Sequence, residues 1–479
     1  MKPIIYQLLP RLFTNYNETR RHGGSIQENG CGTLNGITSK ALRAIRDLGA
    51  THVWYTGIIR HATAMYNTPS IVKGLAGSPY AITDYYDVHP DLCEDKRHRM
   101  QEFTDLVDRS HKAGLDVIID FVPNHVAREY HSTAKPRGVQ DLGANDNPEW
   151  AFSPLNNFYY MPGQKFAPHV NIQDYQEYPA RATGNDCFTA SPSVNDWYET
   201  VKLNYGVYYQ GGGERQFDPI PDTWNKMLHI LLYWASKGVD GFRLDVISFI
   251  SKTDGLPDSN PIIGALMGVK GVEHYFYGPR LHEFLHELNV NTFGKYDAFT
   301  VGECQGTGIE MSKLMTGDYR KELDVVFAFD HIENPGKSKF NKYKYDLRPM
   351  AKELVKWQLN YGNHCWPTVF FENHDTTRMT SKVCPDGHFR NELSKLLALM
   401  QMTFKGVPFV YQGQEIGMTN GGFKSPYDFK DVESLNYFKE QTDKGMTRQQ
   451  AYENLLAGSR DNCRMPMCWR QTCSCPIRS

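Results

Sequence analysis

The stretch GFRLDVISFISK, residues 241–252, places two charges, Arg243 and Asp245, inside an apolar run. Side chains two apart on a strand share a face. Arg243 and Asp245 therefore point one way, and Phe242, Leu244 and Val246 point the other. One face suits packing. The other presents a carboxylate beside a cation, and an adjacent cation favours the ionised carboxylate. Such a strand is buried on one side and faces an opening on the other.

Seven further runs read as strands: IIYQ (4–7), THVWY (51–55), DVIIDFV (116–122), AFTVGE (298–303), DVVFAFD (324–330), PTVFFENH (367–374) and PFVYQGQE (408–415), with GFRLDV (241–246) fourth in order. Helical patterns separate most of them. SKALRAIRDLG, MQEFTDLVDRSHKAG and DTWNKMLHILLYWASKG each end in Gly just before the next strand, as a helix C-terminus should. Eight strands alternating with helices predict an α/β fold, a parallel (β/α)8 TIM barrel, with a doubly wound open sheet as the alternative. Polar residues gather at the C-terminal ends of the strands, the end that carries chemistry in a barrel, and this favours the barrel.

The alternation fails between about 126 and 205, a stretch rich in Asn, Pro, Tyr and Gly and too long for a simple loop. It reads as a small inserted domain, 126–205, after the third strand, with the barrel formed by 1–125 and 206–465. The remaining 466–479 reads as an irregular, truncated tail. GGG at 211–213 is a local turn, because no GK[ST] follows it.

The 479 residues, 40% of them hydrophobic, can build a large core, and a formal charge of −2 gives no footprint for nucleic acid. No run of 18 apolar residues predicts a membrane span, and MKPIIYQLLPRLF reads as a first strand rather than a signal peptide. None of the ten Cys forms a CxxC pair, which predicts reduced thiols and a cytoplasmic location. Cys463, Cys468, Cys473 and Cys475 crowd together without a His at metal-ligand spacing. Abundant aromatics, 13% of residues, suit both a core and the apolar faces of sugars.

The strand ends carry the chemistry. DFVPNH brings Asp120, Asn124 and His125; TVGE brings Glu303; FFENHD brings His374 and Asp375. With Asp245 they make a carboxylate cluster, and no GxSxG elbow, Walker loop or HExxH helix competes with it. Glycoside hydrolysis needs two such groups, an ionised nucleophile and a protonated acid. Arg243 is expected to lower the pKa of Asp245, and a carboxylate neighbour to raise that of Glu303. A retaining mechanism needs the two at about 5–5.5 Å.

The blocks DFVPNH (120–125), GFRLD (241–245), GE (302–303) and NHD (373–375), in that order, resemble the α-amylase family of glycoside hydrolases, family 13. The resemblance spans nearly the whole chain. It implies a covalent glycosyl-enzyme on Asp245, acid/base catalysis by Glu303 and transition-state stabilisation by Asp375. It implies that Arg243, His125 and His374 hold the −1 sugar, that Tyr80 stacks on it and that Asp120 supports the strand end. No cofactor is implied for the reaction. Calcium is left open as a structural ion, with Asn124 at the position of a calcium ligand in dependent relatives. KLNY (202–205) resembles a degraded form of the inserted-domain motif, with Lys202 in an unusual place.

GFRLDVISFISK, YQGQEIGMTN (411–420), DVESLN (431–436) and SRDNCRMPMCW (459–469) are most similar to oligo-1,6-glucosidases and exo-acting α-glucosidases, in which Val246 after the nucleophile accompanies α-1,6 action. The implied substrate is an α-linked gluco-oligosaccharide, with no nucleic-acid or membrane partner. Ala81 stands where those enzymes carry an Asp after the stacking Tyr, and NYNETRRHGGSIQENG (15–30) lacks their acidic loop. An endo-acting α-amylase or maltose-releasing, neopullulanase-like enzyme therefore stands as the alternative. Family members continue into a C-terminal β-sandwich, which is missing from the expectation for this chain.

Overall fold

The computed structural model describes residues 2–19, 21–168, 175–184, 197–211, 214–267 and 270–469. Eight parallel strands form one sheet: β1 (Ile5–Leu8), β2 (His52–Tyr55), β3 (Asp116–Phe121), β4 (Gly241–Leu244), β5 (Phe299–Glu303), β6 (Val325–Phe327), β7 (Thr368–Val369) and β8 (Val407–Tyr411). Their order, β6-β5-β4-β3-β2-β1-β8-β7, is a sheet rolled until its edges nearly meet. At the seam the Thr368 hydroxyl donates to the Val326 carbonyl at 3.1 Å. The barrel reading holds, and the open doubly wound sheet does not.

Each strand feeds a helix: α1 (Ser39–Asp47), α2 (Arg99–Lys112), α3 (Thr223–Ala235), α4 (Arg280–Leu288), α5 (Ile309–Thr316), α6 (Leu347–Asn360), α7 (Arg390–Thr403), and after β8 the pair α8 (Val432–Asp443) and α9 (Arg448–Gly458). Local chemistry sets their ends. The Thr38 side chain accepts from Ala41 N–H at the start of α1, and Thr447 with Gln450 forms a capping box on α9. Gly114 and Gly238, after α2 and α3, take φ of +78° and +89°, so glycine stops these helices as the sequence predicts.

The period-2 pattern divides the core. Tyr6, Leu8, Val53, Tyr55, Val117, Ile119, Phe242 and Leu244 pack outward under the helices. Ile5, Trp54, Ile118, Val301, Val325, Phe327 and Phe409 fill the barrel interior. Toward the C-terminal ends the interior turns polar. Arg243 lies level with Asp120 on β3 and Val301 on β5, and Glu303 ends β5.

Several strand readings run past the observed strands: DVVFAFD ends at Phe327 and PFVYQGQE at Tyr411, and two others bear on the site. β4 stops at Leu244, although Asp245 N–H still donates to the Phe121 carbonyl at 2.8 Å. Val246 then turns into the left-handed region at φ +36°, a genuine outlier for a β-branched residue. β7 holds only Thr368–Val369 because it has a ladder with β8 alone, so FFENHD leaves the sheet as an irregular segment.

Between β3 and α3 the chain makes short antiparallel pairings: His125–Ala127 with Thr200–Lys202, Tyr160–Met161 with Ala180–Arg181, and Val207–Gly211 with Glu214–Phe217. Gly212 and Gly213 of the GGG turn, and Cys187, Cys473 and Cys475, lie outside the described residues. Cys31, Cys93, Cys304, Cys365, Cys384 and Cys463 are free thiols. The start of the irregular tail is docked: Met467 is buried, and Trp469 meets the Phe13 ring edge-on at 4.8 Å and donates to its carbonyl at 2.7 Å. No described helix is long and apolar enough to cross a membrane.

Candidate active site

Arg243 organises the β4–β5 end of the barrel mouth. Its Nη1 donates to Asp245 Oδ1 at 2.6 Å and to Asp120 Oδ1 at 3.3 Å, and its Nη2 donates to Glu303 Oε2 at 2.5 Å. One planar guanidinium thus binds three carboxylates, using donors set in a rigid fork. All four residues are buried. The guanidinium lies 5.2 Å from the Tyr80 ring centre and 5.6 Å from that of Trp54. The strained turn at Val246 aims its N–H at Glu303 Oε2, at 3.2 Å.

The electrostatics correct one expectation. Burial pushes the Asp245 carboxyl well above the usual carboxylate range. Arg243 pulls it back, and Glu303 and Asp120 push it up again. Arg243 therefore does not simply lower Asp245, because its one charge is divided among three carboxylates in a dry site. Burial also raises Asp120, against Arg243 and His374. Asp120 further accepts from Trp54 Nε1 and from Gly57 N–H, both at 3.3 Å, and so ties β2 to β3.

Asp375 is held differently. Its Oδ1 accepts from Arg464 Nη2 at 2.7 Å and Arg460 Nη1 at 3.0 Å, and Oδ2 lies 3.0 Å from His374 Nε2. Burial works against its charge, but His374, Arg464 and Arg460 outweigh burial and hold the carboxyl well below its ordinary value. His374 Nε2 also lies 2.5 Å from the Tyr80 hydroxyl, and its Nδ1 is 2.9 Å from Gln7 Nε2. Tyr80 and His374 thus connect the two carboxylate groups across the mouth. Gln7, Trp54, Arg243, Glu303, Phe329, His374 and Asp375 line one cavity there.

His125 stands to one side, on the short strand paired with Thr200–Lys202. Its ring centre is 5.8 Å from that of Trp197. Burial, then the charges of Lys202 and Lys252, push its pKa down to about 3, so the ring is neutral. Asn124, the candidate calcium ligand, has its Oδ1 accepting from Lys252 Nζ at 2.7 Å. The Lys252 amine, its pKa pushed well down by burial and by the Lys202 charge, thus holds the oxygen that a cation would use. No group of three or more His, Cys, Asp or Glu suited to a metal occurs among the described residues.

Of the residues that the sequence singled out, the fold links Tyr80, Asp120, Arg243, Asp245, Glu303, His374 and Asp375 by direct contacts, while His125 stands beside Asn124 and Trp197. Sequence reasoning missed Gln7, Trp54, Lys252, Arg460 and Arg464 as contributors. Gln7 carries a weak signal, a polar residue on the inward face of IIYQ. SRDNCRMPMCW spaces its two Arg four apart, but nothing local says that both reach Asp375.

The family profile described as "Alpha amylase, catalytic domain" matches residues 7–475. The chain belongs to the alpha-amylase family. An oligo-1,6-glucosidase of Halalkalibacterium halodurans is 31% identical over 98% of this chain and 74% of its own length. A trehalose-6-phosphate hydrolase of Bacillus subtilis is 32% identical, with the same shares covered. The crystal structure of the Bacillus licheniformis trehalose-6-phosphate hydrolase superposes with a TM-score of 0.69 at 28% identity, covering 97% of this chain and 74% of that one. The chain is a glycoside hydrolase of this family, of the retaining α-glucosidase type.

Proposed function

We propose that this enzyme cleaves α-glucosidic bonds in gluco-oligosaccharides with Asp245 as nucleophile and Glu303 as acid/base. The observation that carries the assignment is the single guanidinium of Arg243 joined to both carboxylates. Arg243 sets the two carboxyls side by side in one buried site, the pairing that the reaction needs. Glu303 gives the proton to the leaving oxygen as Asp245 Oδ attacks the anomeric carbon and the glycosidic bond breaks. Glu303 then takes a proton from water, which attacks the same carbon and releases Asp245. Asp375, kept ionised by two arginines, binds sugar hydroxyls and favours the positive charge that develops on the ring. Tyr80, His125, Arg243 and His374 seat the −1 sugar, and Asp120 steadies Arg243.

The names of the relatives support an exo-acting α-glucosidase with α-1,6 preference. The endo-acting or maltose-releasing alternative is favoured by one feature, the buried Ala81 beside Tyr80, which supplies no carboxylate to grip a terminal glucose. The described part of residues 126–205 supports the reading of an inserted domain, with Trp197 against His125, and the free thiols support a cytoplasmic location. The Asn124 corner does not suit calcium, since Lys252 Nζ already bonds its oxygen and the Lys202 charge acts on Lys252 as well. Product analysis on isomaltotriose, maltotriose, starch and trehalose 6-phosphate, offered separately, tests the reading. Glucose from isomaltotriose alone supports it; mixed maltodextrins from starch move the assignment to the endo-acting enzyme; no release from any of them overturns it.

A further inference from the structure

The stretch 241–252 ends in Lys252, which the reaction above does not use. Lys252 is buried and donates to Asn124 Oδ1 at 2.7 Å and to the Phe249 carbonyl at 2.6 Å. Asn124 Nδ2 donates to the Gly184 carbonyl at 3.3 Å. The contacts orient the amide: the Lys252 amine donates to the oxygen, and the Gly184 carbonyl needs the nitrogen. Asn124 Nδ2 also lies 3.2 Å from His125 Nδ1. An amide nitrogen only donates, so Nδ1 accepts and carries no hydrogen. In a neutral imidazole the hydrogen then sits on Nε2. His125 Nε2 is buried without a hydrogen-bond partner among the described residues, and the Tyr80 main chain lies against the ring.

We propose that Lys252 is a positioning residue that, through Asn124, sets the tautomer of His125 and leaves its Nε2–H as a ready donor for a hydroxyl oxygen of the bound sugar. The relay rests on the reading that His125 faces the −1 sugar. Lys252 touches neither sugar nor catalytic carboxylate; it orients an amide, and the amide orients the proton. The tautomer is what matters, because the other form would present a lone pair at Nε2 and a second donor hydrogen against Asn124 Nδ2.

Asn124→Asp tests this without removing the lysine contact. An aspartate oxygen still accepts from Lys252, but the oxygen facing His125 can only accept, so Nδ1 must take a hydrogen. The readout is the ring nitrogen spectrum of selectively 15N-labelled histidine, with the His125 signals assigned by their loss in His125→Gln. The wild type is expected to show an unprotonated Nδ1 and N124D a protonated one, with kcat/KM lower by about 10- to 100-fold. Lys252→Met frees the amide to turn over and is expected to give a mixture of both ring forms. A protonated Nδ1 in the wild type, or an unprotonated one in N124D, overturns the relay and leaves the hydrolase reading intact. A wild type inactive on every α-glucoside overturns the hydrolase reading, and the ring spectrum still decides the relay. If K252M does not melt cooperatively, N124D decides alone.

Discussion

The β4–β5 end and the segment after β7 hold carboxylates in opposite ways. At the first, one arginine serves Asp120, Asp245 and Glu303. At the second, His374 and Arg464 serve Asp375, and Arg460 adds a contact to it while also pairing with Asp431 and Glu433. The result is opposite in sign: burial wins at Asp245, whose pKa rises, and the cations win at Asp375, whose pKa falls. The same residue type, at one mouth, has its pKa pushed in opposite directions, and the cations set against burial decide which.

The sharpest way to break this comparison is to remove the charge at the shared-cation end. Asp245→Asn is expected to lower kcat by at least about 10⁴-fold, and Glu303→Gln nearly as much, since a lost nucleophile or acid leaves only binding and electrostatics. Wild-type turnover in either variant, measured under saturating substrate, would falsify the assignment. The next effect converts the second end toward the first. Arg464→Met leaves Asp375 with Arg460 and His374, so burial weighs more and its pKa rises. Activity is expected to fall by about 10- to 100-fold, with the acid limb of the pH–rate profile moved to higher pH. An unmoved limb would show that Arg464 does not keep Asp375 ionised.

A smaller effect concerns stability rather than turnover. His125 has its folded pKa pushed down to about 3, against about 6.5 when unfolded. The unfolded chain therefore binds more protons between these values. The contribution of His125 is fully present above pH ~6.5 and is lost as pH falls toward the folded value. Replacing His125 with Gln is expected to flatten the fall of unfolding free energy with acidification, by up to about 1.4 kcal/mol per pH unit. Denaturant titrations at several pH values between 4 and 7 measure it, and an unchanged slope would contradict a neutral buried ring.

The sequence showed the reacting groups more clearly than their control. Arg243 and Asp245 share a face because they are two apart, and that is visible in five letters. The pKa order is not, because Asp245 depends on how deeply Tyr80 and Trp54 cover Arg243 and on how many carboxylates share it. Val246 reads as a strand residue by alternation, yet it turns left-handed, and its N–H meets Glu303 Oε2. Asn124 matches a calcium ligand of some relatives only through the family resemblance, which left calcium open, and a lysine 128 residues away donates to its oxygen.

Local periodicity determined the barrel. Strands of period two, helices stopped by glycine and polar residues at the strand ends are all short-range patterns, so the chain states them directly. Only the tertiary structure decided which cations meet which carboxylates. Arg460 and Arg464 lie 85 and 89 residues from Asp375 in the chain, and no repeat or spacing encodes that meeting. Electrostatic character depends on burial and on neighbours from every strand end at once, and those are set only when the barrel closes.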